Sequence, residues 1–73
     1  MNLLEIHPDV CNGRAVIRGT RITVSTMLGF LSAGDTIEGI LEGYPQLKRE
    51  EILACLEYAK NLTDRHSTLR HSA

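Results

Sequence analysis

Three stretches of this 73-residue chain repeat apolar residues at helical spacing, and the short breaks between them contain Gly34 and Pro45. Val24, Met27, Leu28 and Leu31 recur at i, i+3, i+4 and i+7, and so do Ile37, Ile40, Leu41 and Tyr44. Ile52, Cys55, Leu56, Ala59 and Leu62 form a third stripe. Each stripe lines one face of a helical period and must be buried against another element. Gly34 stops the first helix, and Pro45 stops the second because it lacks the amide donor and clashes with the preceding turn. The pattern predicts helices near residues 24–33, 36–44 and 48–62, a mainly α trihelical bundle.

The ends of these segments carry helix-start chemistry. Thr23 or Ser25 can cap the first helix. Asp35, with Glu38 three residues on, reads as a capping box that starts the second. Glu50 and Glu51 fall in the first turn of the third, where the dipole favours acids. A short helix, a tight turn and a longer helix is the order of a helix-turn-helix, whose later helix can face a DNA groove.

Residues before 24 read differently. Asn2 to Ile6 is a short apolar run ending at the turn-forming His7-Pro8-Asp9. After Asn12-Gly13 come two β-rich triplets, Ala15-Val16-Ile17 and Ile22-Thr23-Val24, joined by Arg18-Gly19-Thr20-Arg21. Two or three short strands in an N-terminal β arm are expected. Residues 1–62 are expected to form one domain, and 63–73 a flexible tail with Leu69 as its one large apolar residue.

Composition excludes several classes. With 42% hydrophobic and 23% charged residues, the chain has the make-up of an ordinary globular domain. No window approaches a membrane span or a signal peptide, so a cytoplasmic location is expected. Cys11 and Cys55 stand in no metal or redox spacing and read as free thiols. His7, His66 and His71 are scattered, so no metal site, cofactor or catalytic pairing is expected, and the chain reads as a binding module rather than an enzyme.

A net charge of −1 hides an uneven distribution. Arg14, Arg18 and Arg21 lie close together, with no carboxylate between residues 10 and 34, and Gly13 and Gly19 permit close backbone approach. They are candidates for contact with DNA or a protein partner, against the plainer alternative of pairing with Glu5, Asp9 or a partner chain's acids. Lys48 and Arg49 open the would-be recognition helix and are the other candidates, though Glu50 and Glu51 oppose a phosphate backbone there. Met27, Phe30, Tyr44 and Tyr58 sit on or beside the stripes and read as core. A small core and short strands with open edges lead us to expect a homodimer.

Pro8, Asn12-Gly13-Arg14, Val16 through Val24, Gly34, Tyr44-Pro45-Gln46-Leu47, Glu51-Ile52 and Leu56 to Ala59 together resemble the domain of unknown function 433 family. The resemblance spans roughly residues 3 to 62 and is most specific at Ile-Arg-Gly-Thr-Arg-Ile. It implies a homeodomain-like trihelical fold and, for many members, the role of a VapB-like antitoxin paired with a PIN-like ribonuclease toxin. The alternatives are a stand-alone helix-turn-helix transcriptional regulator and a protein-interaction module without DNA binding.

Overall fold

A computed structural model describes residues 3–65. Of the expected flexible tail, residues 66–73, with His66, Leu69 and His71, lie outside the described residues, as does Asn2. The order is β1 (Leu4–Ile6), β2 (Ala15–Ile17), α1 (Val24–Ser32), α2 (Ile37–Gly43) and α3 (Arg49–Arg65). The chain is thus mainly α, a trihelical bundle with a short N-terminal β hairpin, as the spacing predicted.

The two strands pair antiparallel, with Leu4 opposite Ile17, Glu5 opposite Val16 and Ile6 opposite Ala15. The expected third triplet contributes only a bridge from Thr23 to Val16, because Thr23 caps α1 and Val24 already belongs to the helix. Between the strands, Cys11, Asn12 and Gly13 have φ of 51°, 59° and 76°. Successive left-handed residues reverse the chain tightly, and only Gly13 adopts that conformation without steric cost. A second reversal follows β2, where Thr20 N–H donates to Ile17 O at 3.0 Å. Gly19, at φ 79°, takes the third position of that turn, which glycine fills most readily. The Thr20 hydroxyl donates to the same carbonyl at 2.7 Å and accepts from Ile22 N–H at 2.9 Å.

Thr23 is the cap of α1, its Oγ1 accepting from Thr26 N–H at 3.0 Å. The helix ends in a Schellman arrangement, with Gly34 at φ 102°, Gly34 N–H donating to Leu31 O and Asp35 N–H to Phe30 O, both at 3.0 Å. That closure corrects the expected capping box. Asp35 is held as the last residue of the α1 stop, and Thr36 caps α2 instead, its Oγ1 accepting from Gly39 N–H at 3.0 Å.

The turn into α3 is fixed from two sides. Leu47 is buried one residue before Lys48 and joins the same core as Ile52, the pairing of a hydrophobic staple. The Glu51 carboxylate accepts from Lys48 N–H at 2.7 Å, which is half of a capping box. At its other end α3 runs on to Arg65, past the expected position 62, and Lys60 and Asp64 pair one turn apart at 3.3 Å.

The core gathers Leu4, Ala15 and Ile17 from the arm, Val24 and Met27 from α1, Ile40 and Leu47 around α2, and Ile52 and Cys55 from α3. The β arm is therefore one wall of the core. Phe30, Tyr44 and Tyr58 are half-buried against it, and the Phe30 and Tyr44 rings stand 6.0 Å apart, within the range of a tilted aromatic pair. Two members of the α3 stripe depart from expectation: Leu56 and Leu62 are 39% and 36% exposed. Three helices this short present too little surface to cover the whole stripe, so its margins face outward.

Candidate functional site

The five candidate cations occupy two separate regions. Arg14 and Arg18 flank β2 at opposite ends, about 13 Å apart by the rise of a strand. All three arm arginines are exposed. Glu5, opposite Val16, receives both Arg18, with Nε 3.6 Å from its carboxylate, and a hydrogen bond from His7. Arg21 follows the Gly19 turn, and its carbonyl accepts a long 3.5 Å contact from Cys11 Sγ. The arm thus presents separated positive charges and no single convergent cluster.

At the other region, Lys48 and Arg49 are exposed at the start of α3. Arg49 Nη1 donates to Glu38 Oε2 at 2.8 Å, joining the starts of α2 and α3. The hydrogen bond from Arg49 holds the Glu38 carboxyl below the usual carboxylate range, helped by a backbone hydrogen bond and by the charge of the guanidinium. Sequence alone does not show this pair, because positions 38 and 49 meet only once α2 and α3 pack at their particular angle. Glu38 had the signal of a capping residue and Arg49 that of a DNA reader, yet each occupies the other. With Glu50 exposed beside them and Glu51 drawn back to Lys48 N–H, the first turn of α3 offers little net positive charge.

A groove of about 460 Å³ opens between the arm, the start of α1 and the second half of α3. Ala15, Val24, Leu28, Tyr58, Ala59 and Leu62 supply its apolar surface, and Arg14 is its one charged lining residue among the described residues. The groove could not be read from sequence, since its walls come from segments far apart along the chain. Among the described residues no group of histidine, cysteine or acidic side chains could hold a metal ion, and Cys11 and Cys55 are free thiols. No described helix is long and apolar enough to cross a membrane.

The family model for proteins of unknown function designated DUF433 matches residues 4–59. The chain belongs to this family. A DUF433 member from Anabaena variabilis ATCC 29413, known from a crystal structure, is 34% identical and superposes with a TM-score of 0.82, covering 89% of this chain and 64% of that one. Uncharacterized protein y4eO of Sinorhizobium fredii (strain NBRC 101917 / NGR234) is 38% identical over 53 residues, 73% of this chain. This chain spans about a quarter of that relative's length, 24%. The DUF433 match covers the arm and most of the bundle, including all five candidate cations, and stops at Ala59, short of the outer end of α3.

Proposed function

We propose that this DUF433 chain is the antitoxin-type component of a toxin–antitoxin pair, a cytoplasmic binding module rather than an enzyme. Its partner in this reading is a PIN-like ribonuclease toxin, and its own promoter DNA is a second ligand held through the arm. The observation that supports the reading best is where the free positive charge sits. Among the described residues Arg14 and Arg21 are exposed on the arm with no salt bridge and Arg18 only leans on Glu5, whereas at the would-be recognition helix Arg49 is engaged by Glu38 and Lys48 alone is unpaired. A module that mainly read base edges with α3 would keep those cations unopposed. Exposed arginines on a rigid, core-anchored arm suit acidic protein surface and DNA backbone equally.

The test is co-expression with the product of the small nuclease-like reading frame expected beside the gene. A stoichiometric complex in which ribonuclease activity is suppressed is the expected result. If no such frame adjoins the gene, or the two proteins fail to associate, the stand-alone regulator replaces this reading. That alternative draws on the α2–turn–α3 order and is separated by binding to the chain's own upstream DNA across a salt series. Under the proposal, Arg18→Ala or Arg21→Ala lowers the salt slope by about one per lost phosphate contact. Lys48→Ala and Arg49→Ala then have the smaller effect, and the reverse order assigns DNA reading to α3.

A further inference from the structure

We propose that the groove between the arm, α1 and α3 is the docking site for an apolar segment of a partner protein that carries a carboxylate for Arg14. The inference deepens the protein-binding reading above, and it rests on it for the partner's biological role alone.

The groove is apolar where a partner would seat side chains and charged at one point. Leu28 and Ala15 supply part of its floor, and Tyr58 and Leu62 lie one helical turn apart on the same face of α3. Its volume, about 460 Å³, lies within the range of sites that enclose several side-chain groups. Residues 60–65 of α3 are exposed throughout, so the helix, about 26 Å long by the usual rise per residue, runs on past the bundle. A helix end with little packing against the described residues of its own domain is weakly held, and a segment seated beside Leu62 would bury it.

Charge selects the class of partner. Arg18 leans on Glu5, Arg49 on Glu38 and Lys60 on Asp64, whereas Arg14, like Arg21, Lys48 and Arg65, has no carboxylate within salt-bridge distance among the described residues, and of these four only Arg14 lines the groove. Among the described residues no carboxylate lines the groove. A partner carboxylate reaching Arg14 as water leaves would gain a charge-assisted hydrogen bond in a medium of lowered dielectric. A nucleic acid fits poorly, because a single cation over an apolar floor neither neutralises a run of phosphates nor stacks successive bases.

The experiment titrates the isotope-labelled full chain with two capped amphipathic peptides of identical leucine pattern, one flanked by glutamates and one by lysines. Under the proposal the glutamate peptide shifts the amide signals of Gly13, Ala15, Ser25, Leu28 and Ala59 and binds at least about tenfold tighter than the lysine peptide. Arg14→Glu inverts that order, and Leu62→Ser weakens both peptides. Both replaced side chains are exposed, so unchanged circular dichroism shows that the fold survives. Shifts centred on Ile6 and Leu53, no saturable shift, or an order indifferent to Arg14→Glu would each overturn the assignment. If the nuclease complex forms and withstands both variants, the groove is wrong and the antitoxin reading stands. If the peptides behave as stated but no nuclease associates, the groove stands and the antitoxin reading falls.

Discussion

Cys55 illustrates what burial does to a single side chain here. It is fully enclosed beside Ile52 and Met27, and burial, with a smaller contribution from the Glu51 charge, pushes its thiol from an ordinary value near 9 up to about 11. Because the folded state holds the proton more tightly than the unfolded state, the stabilisation is complete below about pH 9 and is lost as pH rises towards 11. The loss amounts to about 2 kcal/mol. Cys55→Ala should remove that alkaline dependence from urea unfolding curves while lowering stability at neutral pH through the cavity it leaves. Thiol titration with a chromogenic disulfide should find Cys11 reactive in the folded protein and Cys55 reactive only on unfolding. A native Cys55 that reacts as fast as Cys11 would contradict the burial.

Among the elements, the junction between α1 and α2 distinguishes two residues that look interchangeable in sequence. Asp35 and Thr36 are both good caps, yet Asp35 N–H closes the Schellman stop of α1 and leaves Thr36 to accept from Gly39 N–H. Thr36→Ala should therefore cost about 1 kcal/mol, while Asp35→Ala costs a few tenths at most. Thermal unfolding of the two variants decides the matter, and the reverse order would restore Asp35 as the cap. Which acceptor wins depends on where the preceding helix stops. Gly34 marks that stop in sequence, but the closure around it is visible only in the hydrogen bonds.

For the whole molecule, the arm acts as part of the core. Ile17 is wholly enclosed between the arm and the helices, so Ile17→Ala should destabilise the folded chain by about 3 kcal/mol, comparable with the loss of a bundle residue such as Met27. An arm that merely decorated the bundle would show a loss below about 1 kcal/mol in the same denaturant experiment. The same arm leaves an edge. Among the described residues β1 pairs only with β2, in a two-stranded sheet, and Ile6 at its end is 57% exposed. Unpaired strand edges invite a second copy, and two-fold pairing of β1 with its mate would hide both edges at once. Light scattering at roughly tens of micromolar should then report about twice the 8.1 kDa of one chain, and Ile6→Lys should shift the population towards monomer. A wild-type chain that stays monomeric removes the dimer.

The sequence by itself determined the elements of this protein. Apolar spacing specified three helices, Gly34 and Pro45 specified their stops, and the apolar run ending at Ile6 and the Ala15-Val16-Ile17 triplet specified the two strands, because each of these signals acts within one or two turns of backbone, whereas tertiary packing gave Val24 of the next triplet to α1. The five candidate cations were legible as residue types for the same local reason. Their surroundings were decided by tertiary structure: packing α2 against α3 joined Glu38 to Arg49, and β2 set Arg14 and Arg18 at opposite ends of a strand. The exposure of Leu56 and Leu62 and the groove beside Arg14 belong to the same class. Periodicity says which face of a helix is apolar, but how much of that face is covered depends on the size and placement of neighbours far away in the chain.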